Sequence, residues 1–147
     1  MTRFTGGPAD SPGFVLWHAT LRWQRRITTA LAPLDLTHVQ FVLLACTWWL
    51  CGQGSDPNQQ TLAREAGTDV KMTSQVLRTL ERKGLVCRRV DPADTRAKRL
   101  TLTPAGIELA VRAIKEVEAV DATTFGDSAP DLLDVLRRMQ ESASPRG

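Results

Sequence analysis

The chain has 147 residues, of which 42% are hydrophobic and 24% charged, and its formal net charge is +3. These proportions are those of one globular domain and exclude a wholly disordered chain. The longest apolar stretch, over residues 39–51, is too short to cross a bilayer, and the N-terminus lacks the pattern of a signal peptide. We therefore expect a cytoplasmic protein without a membrane partner.

The charges are unevenly distributed along the chain. Residues 57–104 hold ten basic and five acidic side chains, a net charge of +5, whereas the remainder carries −2. A basic centre favours a polyanionic partner. The three cysteines and two histidines have no zinc-ligand spacing, and no phosphate loop or nucleophile motif is visible. The sequence therefore predicts no metal site, no cofactor and no enzyme.

Two helices are predicted in the first third of the chain. Residues 1–10 are rich in glycine and poor in apolar side chains, so we expect a disordered tail. Ser11 followed by proline is typical of a helix start, and this helix ends near Pro33. Thr37 and Gln40 form a capping box for a second helix. That helix is apolar on nearly every face, which indicates a position at the centre of the core.

The basic centre begins with two short helices. Asn58 is a candidate cap for a helix that Gly67 ends, and Asp69 is a candidate cap for a helix over residues 70–83 that Gly84 ends. Two short helices separated by a three-residue turn predict a helix-turn-helix.

A hairpin and two further helices follow. Residues 85–90 and 99–103 predict two strands joined by a charged turn. Thr103 followed by proline predicts the start of a helix that runs to about Phe125. A last helix extends to residue 141, and residues 142–147 form a tail. The whole pattern is that of a winged helix-turn-helix, a module that places one helix in the major groove of DNA.

Specific runs in this region resemble the MarR family of transcription regulators. Residues 62–67 and 73–86 are similar to the core of its helix-turn-helix. Residues 91–96, with the sequence DPADTR, match the family's DPxDxR wing, and residues 102–106 match the LTxxG start of its fifth helix. The resemblance implies a homodimer in which each wing module reads one half of a palindromic operator. Members usually repress, and many are released by small, often phenolic, ligands or by thiol oxidation.

The resemblance also implies the fold class and the domain organisation. The fold is mainly α with a small β-hairpin, formed by a winged helix-turn-helix lobe and an α-helical dimerisation lobe from the terminal helices. A single domain spans residues 11–141. Within it, residues 37–103 form the DNA-binding lobe, and residues 11–36 and 104–141 form the dimerisation helices.

The candidate recognition helix offers five outward side chains near its start: Lys71, Met72, Ser74, Gln75 and Arg78. Glutamine can bond adenine bidentately and arginine can bond guanine. Lys71 and Ser74 are equally suited to phosphate, and Met72 either touches a thymine methyl or packs. The alternative interpretation is an ordinary solvated helix face, and the motif context favours DNA contact.

The wing supplies four further DNA-binding candidates. In the family pattern Asp94 braces Arg96, which enters the minor groove, where negative potential attracts arginine. The alternative is an exposed ion pair that contributes little to stability. Lys98 and Arg99 are candidates for phosphate contact.

A ligand pocket is the second candidate site. The family's pocket lies between the dimerisation helices and the DNA-binding lobe, and six side chains of this chain fall on its first two helices: Trp17, His18, Trp23, Cys46, Trp48 and Trp49. One hypothesis is an aromatic cleft for a planar, apolar effector with His18 or His38 as polar anchor. The other is that the tryptophans fill the core and the dimer interface.

Two alternative functions remain open. A thiol-based redox sensor is disfavoured because Cys46 and Cys51 point away from each other on one helix and Cys87 lies within a strand. A winged-helix module that binds protein instead of DNA is disfavoured by the basic centre.

Overall fold

The computed structural model describes residues 2–54, 56–94 and 98–143. Six helices and one hairpin form the fold: α1 Pro12–Leu31, α2 His38–Gly52, α3 Gln59–Ala66, α4 Val70–Arg82, β1 Val86–Val90, β2 Lys98–Leu102, α5 Pro104–Phe125 and α6 Ala129–Ala143. The predicted fold class, mainly helical with a winged helix-turn-helix, is confirmed.

Five helices begin at the capping residues that the sequence predicts. In each case the side-chain oxygen accepts a backbone N–H of the first turn, which has no partner within the helix. The caps are Ser11, Thr37, Asn58, Asp69 and Thr103. The capping box of α2 has both of its bonds, each 3.2 Å long, between Thr37 and Gln40.

The strands lie one residue away from the predicted bounds. Leu85 donates its N–H to Leu80 O at 3.0 Å, which closes the end of α4, so β1 starts only at Val86. Thr103 caps α5 and is therefore not part of β2, which ends at Leu102. Both differences arise because a residue at the border of two elements serves the helix.

The N-terminal residues differ from the expected tail. Gly7–Asp10 form a short 3-10 helix directly before α1. Asp10 closes this turn, since its carboxylate accepts the N–H of Gly6 at 2.8 Å.

Helix α2 lies at the centre of the core, as predicted. It contacts α1, α3, α4, α5 and β2. Its Leu43 and Leu44 are fully buried, and the hydroxyl of buried Thr47 donates to Leu43 O at 2.7 Å. The other large, fully buried side chains come from α1, α3, α4 and β2: Ile27, Leu31, Leu62, Leu77, Leu80 and Leu100.

The hairpin is fastened to the helix-turn-helix. Strands β1 and β2 pair antiparallel, with Val86 opposite Leu102 and Val90 opposite Lys98. Leu100 N donates to Pro57 O at 2.8 Å, so β2 also bonds the segment that precedes α3. The wing is therefore hydrogen-bonded to the segment that leads into α3.

The terminal helices carry exposed apolar side chains. These are Phe14, Val15, Leu16 and Trp17, which surround the first turns of α1, and Leu133, Val135, Leu136 and Met139 on α6. Within the described ranges no single helix is both long and apolar enough to span a bilayer; Pro12–Leu34 and His38–Gly52 meet that criterion only when taken together, with a 74° bend between them.

Candidate functional site

Helix α4 has one buried and one exposed face. The buried face consists of Thr73, Leu77 and Leu80. The opposite face carries the five predicted DNA-binding residues: Lys71, Met72, Gln75 and Arg78 are exposed and Ser74 is half-buried. The helix thus presents polar and basic side chains to solvent along its first half.

The start of α4 is fixed by side-chain hydrogen bonds. The Thr73 hydroxyl donates to Asp69 O at 2.7 Å and lies 2.6 Å from the Thr68 hydroxyl. Gln59 on α3 donates to Val70 O at 3.3 Å. These hydrogen bonds therefore fix the backbone that carries the exposed residues at the start of α4.

The end of α4 is tied to the junction between α1 and α2. The Lys83 ammonium donates to Asp35 O and to Gln40 Oε1, the latter at 3.1 Å, and lies 3.4 Å from Asp35 Oδ2. Asp35 has a left-handed backbone with φ 54°. Sequence reasoning missed this link, because its partners lie 43 and 48 residues apart in the chain.

The two arginines of β1 diverge, as strand alternation requires. Arg88 pairs with Glu81 on α4 and donates to Gln59 Oε1 at 3.4 Å. Arg89 is exposed. Arg88 thus joins the wing to the helix-turn-helix, and Arg89 is the one that faces solvent.

Arg99 lies at the base of the wing and is half-buried. Its Nε lies 2.9 Å from Asp91 Oδ2, and its Nη1 donates to Asp56 O at 3.0 Å. Asp91 also accepts the N–H of Ala93 at 2.9 Å. This backbone bond and the Arg99 guanidinium lower the pKa of Asp91 below its ordinary value of 3.8. Two nitrogens of Arg99 thus brace the hairpin, and its predicted contact with phosphate stays a prediction.

The remaining wing candidates surround an open groove. Asp94 and Lys98 are exposed and border a space of about 480 Å³ together with the N-terminus of α3 and Arg88. Arg96 lies outside the described residues. The groove joins the wing to the first turns of α3 and α4.

The six side chains predicted to line an aromatic cleft are spread over the molecule. Trp17 is 64% exposed and Trp49 55% exposed. His18 is exposed and contacts the ring of Phe14, with 4.6 Å between centroids. Cys46 packs against the core, and Trp48 lines a groove of about 250 Å³ between α2, β2 and α5.

Trp23 lines a separate and larger groove, which we call the Trp23 groove. It has a volume of about 510 Å³ and lies between α1, α5 and α6. Its lining consists of Leu16, Ala19, Thr20, Trp23, Asp121, Ala122, Phe125, Ala129, Leu132, Leu133 and Leu136. Trp23 and Trp48 thus belong to different grooves.

A polar junction lies beside Trp23. Its indole Nε1 donates to Asp121 Oδ1 at 2.8 Å, and the ring of His38 meets the indole edge-on, with 5.2 Å between centroids. Burial lowers the pKa of His38 below its ordinary value of 6.5, and the Asp121 charge opposes this shift. Sequence reasoning named Trp23 and His38 but missed Asp121, which is 98 residues away from Trp23.

Two of the three cysteines, Cys46 and Cys51, lack the properties of sensor thiols. Burial, and then the charge of Glu65, raises the pKa of Cys46. Burial, followed by hydrogen bonding to Asp56, raises the pKa of Cys51 to about 11. Since the thiolate is the reactive form, both thiols hold less of it at neutral pH than an ordinary cysteine does. Cys87 is exposed on β1.

Comparison with known proteins assigns the chain to a family. The MarR family model matches residues 36–98. An uncharacterized HTH-type transcriptional regulator of Bacillus subtilis, YdcH, is 45% identical over 119 residues, which cover 81% of each chain. The HTH-type transcriptional repressor Rv2887 of Mycobacterium tuberculosis is 31% identical over 137 residues, covering 92% of this chain and 96% of its own.

The fold is likewise shared with a solved structure. CouR from Rhodococcus jostii, bound to p-coumaroyl-CoA, superposes with a TM-score of 0.82 at 27% identity, covering 96% of this chain and 97% of its own. CouR bound to a 23-mer DNA duplex gives a TM-score of 0.80 at 28% identity. With its helix-turn-helix, its wing and these relatives, the chain belongs to the MarR family of DNA-binding transcription regulators.

Proposed function

We propose that the protein is a homodimeric repressor that binds a palindromic operator and is released by a small aromatic ligand. The observation that carries this proposal is the exposed polar face of α4, which is fixed at both ends on the DNA-binding lobe. A rigid helix of this kind fits the major groove, where base edges can be told apart. Binding to an operator also places the protein in the cytoplasm.

Each outward residue of α4 has a role in this proposal. Gln75 and Arg78 read base edges, since their side chains can make bidentate bonds to adenine and guanine. Lys71 and Ser74 contact phosphate and set the register, and Met72 contacts a thymine methyl. The wing adds Lys98 at the backbone and Arg96, braced by Asp94, in the minor groove.

The dimer is supported by the exposed apolar side chains of α1 and α6. Large apolar side chains that cluster on the surface of terminal helices are typical of an interaction site. We assign residues 11–36 and 104–141 to dimerisation and residues 37–103 to DNA binding. A two-fold dimer presents two copies of α4, and their separation has to match the spacing of the operator half-sites.

Release by ligand is supported by the relatives. CouR has been solved with p-coumaroyl-CoA, and Rv2887 has been solved with salicylic acid. In this chain the Trp23 groove touches α1, α5 and α6, the helices assigned to dimerisation. A ligand there changes the separation of the two α4 helices, and by linkage operator binding weakens ligand binding by the same factor.

Selection of bound sequences from a random duplex pool tests the proposal. We expect a palindrome whose half-sites are about one helical turn apart. In the same selection Arg78→Ala should relax one base position in each half-site and weaken binding by roughly 1–3 kcal/mol. Arg112→Ala, which removes the same charge from an exposed site on α5, should leave the selected sequence unchanged.

Two results would count against the proposal. Recovery of random sequence with no enrichment would favour the alternative, a winged-helix module that binds protein. An enriched site without two-fold symmetry would reject the homodimer on a palindrome.

A further inference from the structure

We propose that Lys83 is a positioning residue for operator binding, because it sets the angle between the DNA-binding lobe and the helices assigned to dimerisation. In a dimer this angle determines how far apart the two α4 helices lie, and hence which spacing of operator half-sites fits. The inference rests on the proposed function and adds to it a residue outside the surface that contacts DNA.

Lys83 joins the end of α4 to the corner between α1 and α2. Its ammonium donates to Asp35 O, which follows α1 and its short 3-10 extension Ala32–Leu34, and to Gln40 Oε1 at 3.1 Å. Carbonyls at the end of a helix lack partners within it and carry partial negative charge, so a cation is favoured there. Gln40 Oε1 also accepts the N–H of Thr37 at 3.2 Å, so Lys83 bonds to the capping box of α2.

The same turn is bonded to the start of α5 on its other side. Thr103, the cap of α5, donates its hydroxyl to Gly84 O at 2.6 Å and its N–H to Leu85 O at 3.0 Å. Residues 83–85 directly follow α4, so the end of this helix meets the end of α1 and the start of α5 at one place. The bonds to α5 come from the chain that leads into that helix, whereas the bonds to the end of α1 depend on the Lys83 side chain.

The length of α4 makes this link important for reading DNA. At about 1.5 Å per residue, the outward side chains from Lys71 to Gln75 lie roughly 12–18 Å from Lys83 along the helix axis. A rotation of the lobe by about 10° around Lys83 displaces them by roughly 2–3 Å, close to the rise of one base pair, about 3.4 Å. A small change of angle therefore moves the reading side chains by almost one base pair.

The contacts of Lys83 suit this role better than a role in stability. The Asp35 side chain is 95% exposed, and an ion pair with an exposed carboxylate contributes little to stability. The Lys83 side chain is 27% exposed, so removal of its ammonium opens no large cavity in the core. Loss of the ammonium should therefore leave the protein folded and allow the lobe to rotate.

Three DNA duplexes test the inference: the selected operator, and the same operator with one base pair added or removed between its half-sites. One base pair moves a half-site by about 3.4 Å and turns it by roughly 35° around the duplex. Dissociation constants are measured by fluorescence anisotropy. The unmodified dimer should bind the altered duplexes about tenfold more weakly or worse, since one α4 loses its contacts.

Lys83→Met should weaken binding to the selected operator and change binding to the other two duplexes little. The ratio of dissociation constants, which we call the spacing preference, should fall to about threefold or less, because a lobe that rotates accepts more than one spacing. Arg82→Met is the matched control: it removes the same charge one residue earlier, from a side chain that bonds Thr79 Oγ1 at 3.0 Å within α4. It should keep the spacing preference.

Gln40→Glu tests the same link in the opposite direction. Glutamate keeps the capping box of α2 and gives Lys83 a charged acceptor, so the spacing preference should rise above that of the unmodified protein. Thermal melting checks that each variant is folded. If Lys83→Met does not fold, the result for Gln40→Glu decides.

The outcomes separate this inference from the proposed function. An unchanged spacing preference in Lys83→Met, which includes an equal loss of affinity for all three duplexes as a purely structural role predicts, would overturn it. No rise in Gln40→Glu would also overturn it. Both results leave the proposed function intact, whereas an unmodified protein that binds all three duplexes equally would reject the dimer on two half-sites, and this inference with it.

Discussion

Basic side chains of the DNA-binding lobe fall into two groups. Arg88 and Arg99 bond to acidic partners inside the lobe, whereas Arg89 and Lys98 are exposed. The first group holds the wing in place, and the second is available to phosphate. A count of positive charges in the sequence cannot separate these groups, because the partners of the first lie on other elements.

This division predicts different effects for two adjacent substitutions. Lys98→Ala should leave the melting temperature unchanged and reduce the slope of log K against log salt by about 1, because one phosphate contact is lost. Arg99→Ala should lower the melting temperature, because Asp91 and Asp56 O lose their partner. Operator titrations at several salt concentrations, with thermal melts, measure both. A melting temperature unaffected by Arg99→Ala would contradict the assignment.

The half-buried His38 predicts a pH dependence of stability. Burial lowers the pKa of His38 in the folded state below its ordinary value of 6.5, so the unfolded chain takes up the proton first. The free energy of unfolding should therefore be highest above pH 6.5 and fall as the pH is lowered to 5.5. Urea unfolding at pH 7.5, 6.5 and 5.5 measures this slope. The His38→Asn variant should have a smaller slope of unfolding free energy against pH. The control variant His18→Asn, at an exposed site, should keep the slope of the unmodified protein. Equal slopes in all three proteins would show that the pH dependence does not arise from His38.

At the scale of elements, local chemistry sets the helix starts and long-range contacts set their arrangement. The close packing of α5 on the hairpin is the clearest example. A Cβ added to Gly106 would lie 2.0 Å from Leu85 O, a backbone atom that cannot move away independently. The start of α5 can approach the end of α4 because position 106 has no side chain.

Gly106→Ala should therefore destabilise the protein by roughly 1–3 kcal/mol, the usual cost of overpacking a fixed site. Gly13→Ala is the matched control on α1, since an added Cβ there meets nothing within 4 Å. It should stabilise the protein by about 0.4–1 kcal/mol through the unfolded state. Urea unfolding of both variants provides the measurement, and equal stability of the two would show that α5 tolerates the side chain.

At the scale of the whole molecule, two surfaces of different character lie on different lobes. The terminal helices expose apolar side chains, among them Trp17 at 64% exposure. The lobe of α4 and the wing exposes polar and basic ones. The first surface suits a second copy and the second suits DNA, so the protein requires dimerisation to place two α4 helices on one duplex.

Trp17→Glu should produce monomers, because it places a charge in the proposed interface while disturbing little in the protomer. Operator affinity should fall together with dimerisation, since a monomer reads one half-site. Sedimentation velocity and operator titration check the two effects. Val90→Glu, at an exposed apolar site on β1 outside the segments assigned to dimerisation, should keep the dimer. A dimer that persists in Trp17→Glu would place the interface elsewhere.

The sequence alone determined where the helices begin, which face of α4 is exposed and which family the chain resembles. Capping bonds join residues three apart, and helical periodicity needs only the order of residues in one element, so both are readable along the chain. The same local information could not show that Trp23 and Trp48 line different grooves.

Only the tertiary structure decided how the elements are joined. The bond between Trp23 and Asp121 spans 98 residues, and the bond between Lys83 and Asp35 spans 48. Pairs at such separations form because the packing of α1, α2, α4 and α5 brings them together, and many acidic residues of the sequence were equally eligible partners. The packing of the core determines which acidic residue becomes the partner, and no local sequence pattern contains this information.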